Sequence, residues 1–313
     1  MGMDLGAYQI PNRLTRNVLH YFGEQGRDWL QDLPNVIAEA VERWSLKPGR
    51  PFPNLSINFV TLATRADGTE VVLKAGVPNK EIFTETNALK LFDGKGAVRL
   101  LEADPDKGIM LLERLLPGTP VLRLGDDVQA VEIAAEVMRK LKREAPDEHS
   151  FPCVGDWFAG LAKVRSRFHG GSGPFPDKLL DLAERTSAEL LASSDERILL
   201  HGDLHHDNIL KSSRESWLAI DPKGVVGEQA YEVCAFLRNP MPDLLTGMDT
   251  KHVLARRVDR FSELLGIDRA RLIRWGLSEA VLSASWDIDD ETQSWKGVIF
   301  VAETYAAMTK GAG

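Results

Sequence analysis

The chain has 313 residues and an ordinary globular composition, with 43% hydrophobic and 27% charged residues. One hydrophobic core usually stops growing below this length, so two domains or lobes are expected. No apolar run is long enough to cross a bilayer, which argues against a membrane protein. The net charge of -8 and the lack of a basic stripe with aromatics argue against a nucleic-acid partner, but they permit a cationic small molecule.

The start of the chain and its cysteines favour a cytoplasmic protein. The residues Met1-Gly2-Met3-Asp4 lack the basic and apolar stretches of a secretory signal. Cys153 and Cys234 are the two cysteines, and their wide separation indicates neither a disulfide framework nor a structural zinc site. No residue pattern indicates an oligomeric state.

Helix and strand patterns alternate in the first part of the chain. Residues 32–44 carry apolar side chains at helical spacing, and the Pro/Gly-rich stretch 47–53 predicts a loop after them. Strands are predicted over 56–64 and 70–75, because both are rich in β-branched residues and flank the turn signal Asp67-Gly68. The second of these strands ends close to a lysine.

That lysine, Lys74, has two candidate partners in the next predicted element. Residues 79–92 show amphipathic helical spacing and contain Glu81 and Glu85, of which we favour Glu85 as the partner. Strand patterns follow over 97–101 and 109–113.

A break at Pro117-Gly118 predicts the boundary between two lobes, 1–115 and 116–313. The second lobe should be mainly helical, since residues 126–142 and the apolar residues from Leu254 to Leu265 follow a helical period.

The stretch 198–221 is the exception, and it holds the residues with the most chemistry. A polar loop, 201–208, lies between two apolar runs, and Ser212-Ser-Arg-Glu-Ser216 predicts the turn of a hairpin. The centre of this predicted hairpin lies between Arg214 and Glu215, and Asn208 and Asp221 are equidistant from it, so antiparallel pairing should bring both to the open end of the hairpin.

These residues suit phosphoryl transfer with a magnesium ion. Carboxylate and amide oxygens are ligands that Mg²⁺ accepts, which Asp221 and Asn208 would supply. Asp203 could take the proton of a substrate hydroxyl or orient that hydroxyl toward a phosphate. His201 is expected to support the loop.

A competing interpretation is the metal cluster of a hydrolase. His and Asp alternate at positions 201, 203, 205, 206 and 207, as they do in some dinuclear zinc sites. The four remaining histidines stand in no paired motif, so further ligands would be hard to supply. This interpretation is therefore the weaker one.

The order of these features matches the kinase pattern of a strand lysine, a helical glutamate, His-x-Asp-Leu, an asparagine and a later aspartate. The amino-acid sequence resembles that of the aminoglycoside/hydroxyurea antibiotic resistance kinases, a family of streptomycin 6-kinase-like aminoglycoside phosphotransferases. The segments that carry the resemblance are Pro51-Phe-Pro-Asn-Leu-Ser-Ile-Asn-Phe-Val60, Val71-Val-Leu-Lys74, Asp93-Gly-Lys-Gly-Ala-Val-Arg-Leu-Leu-Glu-Ala-Asp104, Leu111-Leu-Glu-Arg114, His201-Gly-Asp-Leu-His-His-Asp-Asn208 and Ala219-Ile-Asp-Pro-Lys-Gly224.

The resemblance implies an α+β, bilobal protein-kinase-like fold, with a β-rich N-terminal nucleotide-binding lobe and a mainly helical C-terminal catalytic lobe. ATP and Mg²⁺ would bind between the lobes. By position, Lys74 would contact the α- and β-phosphates and Glu85 would hold Lys74. Asp203 would be the catalytic aspartate, and Asn208 and Asp221 would bind the metal.

The resemblance also implies how the rest of the nucleotide is held. The backbone from Glu113 to Leu115 would be the hinge that hydrogen-bonds adenine. No Gly-x-Gly-x-x-Gly is present, so Ser56 and Asn58 would contact the phosphates instead. Gly202 stands where protein kinases carry an arginine, which favours a constitutively active enzyme over a signalling kinase.

The expected reaction is ATP-dependent phosphorylation of a hydroxyl on a streptomycin-like aminoglycoside. Alternatives are hydroxyurea or another metabolite as acceptor, or a silent pseudokinase that only binds nucleotide; the presence of all five core residues favours an enzyme. Carboxylates would recognise a cationic acceptor. The candidate residues are Asp156, Glu228, Glu232, Trp286 and Asp287.

Overall fold

The computed structural model describes residues 10–246, 249–289 and 295–310. Contacts within the chain divide it into two units, Met1–Gly118 and Thr119–Gly313. Over the described residues, no helix is both long enough and apolar enough to span a membrane.

The first unit is built on a five-stranded antiparallel sheet with the order β1-β2-β3-β5-β4. Two helices accompany the sheet. The strands are β1 (Leu46–Pro51), β2 (Phe59–Arg65), β3 (Glu70–Ala75), β4 (Leu100–Asp104) and β5 (Ile109–Glu113), and the helices are α1 (Asn12–Arg43) and α2 (Lys80–Phe92).

The core of this unit forms between α1 and the sheet. Leu33 and Ile37 of α1 are buried in one cluster with Phe59, Val71 and Leu73 of the strands. Alternation along the central strands directs these side chains to one face, as the period of a half-buried strand requires. The packing holds β3, and with it Lys74, in a fixed position.

Two predictions about this unit were wrong. Residues 47–53 were predicted as a loop, but most of them form β1; this strand lies at the sheet edge, where proline is tolerated, and its register is irregular between Pro48 and Pro51. The first helix begins at Asn12, well before the predicted 32–44, and Gly23 with φ +53° interrupts its helical geometry.

The second unit is mainly helical, and its longest helix, α11, packs against α6, α10 and α12. Trp275, Phe261 and Tyr305 are fully buried in its core. Its helices are α3 (Asp127–Leu141), α4 (Val154–Phe158), α5 (Leu161–Arg167), α6 (Asp177–Ala192), α7 (Gln229–Glu232), α8 (Cys234–Leu237), α9 (Asp243–Thr246), α10 (Thr250–Leu265), α11 (Arg269–Asp289) and α12 (Trp295–Lys310).

Short strands of this unit frame the polar loop 201–208. Two sheets are formed, with the orders β10-β7 and β6-β8-β9. The strands are β6 (Pro117–Pro120), β7 (Ile198–Leu200), β8 (Ile209–Ser212), β9 (Trp217–Ala219) and β10 (Val225–Gly227). Because β7 is buried along its whole length, the loop starts from a fixed point. The predicted α+β organisation, with a strand-rich first part and a mainly helical second part, is confirmed.

Candidate active site

Lys74 and Glu85 form a buried ion pair in the first unit. The Lys74 Nζ lies 2.6 Å from the Glu85 Oε1, and the two side chains are only 4% and 9% exposed. Lys74 stands in β3 and Glu85 one turn into α2, whose start is capped by the Asn79 side chain. The glutamate favoured from the sequence thus contacts the lysine.

Ser56 and Asn58 lie in the loop that joins β1 to β2. The Ser56 hydroxyl is exposed and accepts a 3.3 Å hydrogen bond from Asn17 Nδ2. The Asn58 side chain lies against Gly76, where a Cβ atom would collide with its amide oxygen. The phosphate contacts assigned to both residues stay predictions.

The predicted hinge, Glu113 to Leu115, begins at the last residue of β5. The backbone of Arg99 engages Glu113 twice, because its N–H donates to the Glu113 carboxylate at 2.8 Å and its carbonyl accepts from the Glu113 N–H at 3.0 Å. Leu115 is buried. The Glu113 N–H is thus already engaged, and the adenine contacts predicted for the backbone from Glu113 to Leu115 stay predictions.

In the second unit, Glu232 holds the start of the loop 201–208. Its carboxylate accepts hydrogen bonds from the backbone N–H groups of His201, at 2.7 Å, and Gly202, at 3.3 Å. Glu232 is buried. Both carboxylate oxygens face the loop backbone and give the loop its shape, and the acceptor contact predicted for Glu232 stays a prediction.

His201 links this loop to the residues before Asp221. Its Nδ1 accepts from the Asp203 N–H at 3.2 Å, so Nε2 carries the proton and donates to the Ile220 carbonyl at 2.7 Å. Burial lowers the pKa of His201 to about 4, which keeps the ring neutral at physiological pH. The expected supporting role of this histidine thus has a specific geometry.

Asn208 is fixed beside Asp203 by its own side chain. Its Nδ2 donates to the Asp203 carbonyl at 2.9 Å, which leaves Oδ1 as the side-chain oxygen that can take a ligand. Its backbone carbonyl accepts from the Ile220 N–H at 2.9 Å.

The hairpin of β8 and β9 exists, but its register differs by one residue from the prediction. Ile209 pairs with Ala219, so the Asn208 backbone bonds to Ile220, and Asp221 lies beyond the last pair. Asp221 has φ +57°, a left-handed conformation that aspartate tolerates better than most residues. This turn ends the strand, and the Asp221 side chain is exposed.

Two further charged residues accompany Asp203, and sequence reasoning missed both. Arg238 Nε lies 2.9 and 3.1 Å from the two oxygens of Glu279, and Arg238 Nη2 lies 3.9 Å from Asp203 Oδ1. Glu279 belongs to α11, far from Arg238 in sequence. One signal was available in the sequence, because Glu279 stands directly before the apolar Ala280. A glutamate in such a position can be buried, and a buried charge requires a partner.

Glu228 and Asp156 make structural contacts in the second unit, and the acceptor contacts predicted for both stay predictions. Glu228 is buried and binds Arg271 through both oxygens, at 2.7 and 2.5 Å, and it also accepts from the Trp275 indole. Asp156 accepts from the Cys153 N–H at 2.7 Å and so caps the start of α4. The carboxylate of Glu228 has no exposed surface for a ligand.

Trp286 and Asp287 remain acceptor candidates near the loop. Trp286 is 37% exposed and meets Trp157 edge-on, with ring centroids 5.8 Å apart. Trp157 in turn lies against Gly202, where a Cβ atom would be 2.9 Å from its ring. The sequence also indicates the acidic run 286–291 as an acceptor candidate, and its residues Asp290 and Glu291 lie outside the described residues.

The rings of the loop histidines are engaged in ways that do not suit a hydrolase metal cluster. His206 is buried and stacks on Phe236 with ring centroids 3.8 Å apart, and burial lowers its pKa to about 3. His201 donates to a backbone carbonyl. In the part of the chain that the structure describes, no three His, Cys, Asp or Glu side chains are grouped as a metal site would require.

Glu232 should make the stability of the protein depend on pH. Burial raises the pKa of its carboxyl from 4.5 to about 7, although its two backbone hydrogen bonds act in the opposite direction. A folded-state pKa above the unfolded value means that stability is full below pH 4.5 and falls as the pH rises to 7.

Denaturant unfolding of the wild type and of Glu232→Gln at several pH values measures this effect. Between pH 4.5 and 7, the wild type should lose about 3 kcal/mol of unfolding free energy relative to the variant. Parallel curves for the two proteins would show that Glu232 keeps an ordinary pKa.

Comparison with known proteins agrees with this arrangement of residues. The family model of the aminoglycoside/hydroxyurea antibiotic resistance kinases matches residues 43–291. The streptomycin 6-kinase of Streptomyces glaucescens is 33% identical over 284 residues, covering 90% of this chain and 92% of that protein. The hydroxyurea phosphotransferase of Kitasatospora aureofaciens is 35% identical over 292 residues, covering 90% and 81%.

The fold has a counterpart among solved structures. A thermostable mutant of aminoglycoside phosphotransferase APH(4)-Ia, in a ternary complex with ADP and hygromycin B, superposes with a TM-score of 0.58 at 12% identity, covering 88% of this chain and 98% of that chain. The fold is therefore protein-kinase-like. Membership of a kinase family implies the use of ATP, and the chemistry is phosphoryl transfer to a hydroxyl group of a small molecule. The chain belongs to the aminoglycoside/hydroxyurea antibiotic resistance kinase family.

Proposed function

We propose that this enzyme transfers the γ-phosphoryl group of ATP to a hydroxyl of a streptomycin-like aminoglycoside, with Mg²⁺ as cofactor. Similarity to streptomycin 6-kinase over 90% of the chain carries the choice of acceptor. Phosphotransferases of this kind work by positioning and charge stabilisation more than by covalent chemistry, so the proposal depends on where a few side chains lie.

Asp203 is the residue that acts on the acceptor. The acceptor oxygen forms a bond to the γ-phosphorus while the bond to the β–γ bridging oxygen breaks and releases ADP. The hydroxyl proton passes to the Asp203 carboxylate, which is 28% exposed and so reachable by a ligand. The hydrogen bond from the Asp203 N–H to His201 fixes the backbone from which this carboxylate projects.

Asn208 and Asp221 would hold the magnesium ion. The donor set fits, because Asn208 keeps its Oδ1 for a ligand and Asp221 presents an exposed carboxylate, and Mg²⁺ prefers such hard oxygen ligands. When bound, the ion would neutralise charge on the phosphate oxygens. The hydrogen bond between the Ile220 N–H and the Asn208 carbonyl keeps the two ligand residues together.

Lys74 would bind the α- and β-phosphates, oriented by Glu85. Ser56, Asn58 and the backbone of Leu115 would complete the nucleotide site. Trp286 and Asp287 would contact the acceptor, for which an aromatic face and a carboxylate are suitable partners of a cationic group.

Hydroxyurea is the second candidate acceptor, because the hydroxyurea phosphotransferase relative is 35% identical to this chain. An acceptor panel separates the candidates. ADP release from ATP and Mg²⁺ is measured with streptomycin, hygromycin B, hydroxyurea or choline, and without acceptor.

We expect the highest kcat/KM with streptomycin. A higher value with hydroxyurea would replace the proposed acceptor by the second candidate. If no acceptor stimulates ADP release although ATP still binds tightly, the proposed enzymatic activity is contradicted. The protein would then be one that only binds nucleotide.

A further inference from the structure

A buried ion pair in the second unit has no role in the steps above. The Arg238 guanidinium holds Glu279 through its Nε at 2.9 and 3.1 Å, and the side chains are 16% and 4% exposed. Burying two charges costs desolvation that their attraction barely offsets, so such a pair is a weak source of stability. Its position next to Asp203 indicates another role.

Each oxygen of the Asp203 carboxylate faces a different nitrogen. Arg238 Nη2 lies 3.9 Å from Oδ1, and His205 Nε2 lies 3.9 Å from Oδ2. Both separations exceed a hydrogen bond, so the contacts are electrostatic. The carboxylate plane is nevertheless directed, because a quarter turn about the Cβ–Cγ bond would move both oxygens away from these two nitrogens.

Two buried carboxyl groups, those of Glu232 and Glu279, lie near enough to Asp203 to interact with it electrostatically. The Asp203 carboxylate contributes to raising the pKa of Glu232 and of Glu279, where burial is the main cause in both cases. Arg238 is the cation that faces both Asp203 and Glu279. Without its guanidinium, the Asp203 side chain would be repelled from the buried carboxylates and would turn away.

We propose that Arg238, held by Glu279, is a positioning residue that sets the orientation of the Asp203 carboxylate toward the acceptor hydroxyl. The inference rests on the proposed role of Asp203. An arginine suits the task better than a lysine, because Nε of its planar guanidinium can bind Glu279 while Nη2 extends to Asp203. A lysine has a single charged nitrogen and cannot hold both.

The first test is Arg238→Lys with streptomycin as acceptor. We expect kcat to fall about 100-fold, since small misplacements of catalytic groups have effects of this size, while the KM for ATP changes little. Arg271→Lys is the matched control, because Arg271 also binds a buried glutamate, Glu228, but does so at 2.5 and 2.7 Å within a separate ion pair. The control should lose stability and keep kcat.

The second test asks whether Arg238 acts through Asp203. In an Asp203→Asn background, Arg238→Lys should change the residual rate by no more than about twofold, because the group that it orients is already removed. A loss of about 100-fold in that background as well would overturn the proposal and leave a general structural role.

Glu279→Gln provides a variant that keeps the arginine and the shape of its partner. It should lower kcat in the same direction as Arg238→Lys, and again with little effect in the Asp203→Asn background. Full activity in both Arg238→Lys and Glu279→Gln would refute the positioning role of Arg238, but it would not affect the proposed role of Asp203. Full activity in Asp203→Asn would instead refute the proposed role of Asp203, whereas a wild type that is inactive with every acceptor would refute the proposed function.

Discussion

Replacing Asp203 by asparagine should lower kcat about 1,000-fold and leave the affinity for ATP nearly unchanged. Asparagine keeps the size of the side chain but cannot accept the hydroxyl proton, so the loss falls on the transfer step. Steady-state kinetics with streptomycin and calorimetric titration of ATP measure the two quantities separately.

Asp207→Asn is the matched control for this result. Asp207 lies on the same loop, and its side chain is exposed. The same chemical change there should leave kcat within about twofold of the wild type. An active Asp203→Asn enzyme, or an equal loss of kcat in both variants, would contradict the role of Asp203 as the residue that accepts the hydroxyl proton.

Replacing Lys74 by methionine should reduce both stability and ATP binding. The change removes the cation 2.6 Å from Glu85, and breaking a buried pair costs about 3–5 kcal/mol of unfolding free energy. The KM for ATP should rise as well, because the phosphates lose their proposed contact. Denaturant unfolding and ATP titration measure the two losses.

The double variant Lys74→Met/Glu85→Gln separates these losses. It should recover much of the stability, since the buried carboxylate is neutralised, but it should not recover ATP binding. Lys140→Met is a control for removal of a lysine from an exposed pair, because Lys140 lies 2.8 Å from Glu136 on the surface of α3 and the pair contributes at most about 0.5 kcal/mol. Restored ATP affinity in the double variant would contradict the proposed role of Lys74.

Local sequence signals were sufficient for part of this fold. The strands β3 and β5 occupy the predicted residues, because short runs of β-branched and apolar residues stand next to turn signals there. The order of a strand and a helix predicted an acidic partner for Lys74 in α2, and the favoured candidate, Glu85, makes the contact, although spacing alone did not exclude Glu81. In both cases neighbouring residues contain the information.

Other features depend on contacts that a linear pattern does not contain. The one-residue difference in the β8–β9 register follows from the loop between the two strands, because this loop is centred on Arg214 and the Ser212 N–H donates to the Ser216 carbonyl across it. Glu228 was predicted to bind the acceptor. The sequence did not show its ion pair, because the partner, Arg271, stands in a distant helix. Arg238 and Glu279 were missed for the same reason.

The most direct test of the account is chemical identification of the reaction product. The enzyme is incubated with ATP, Mg²⁺ and streptomycin, and the acceptor is recovered for mass spectrometry and phosphorus NMR. The account predicts streptomycin that carries one added phosphoryl group as a phosphate monoester, formed in step with ADP and nearly absent with Asp203→Asn. Unmodified streptomycin, with ADP matched only by free phosphate, would contradict it.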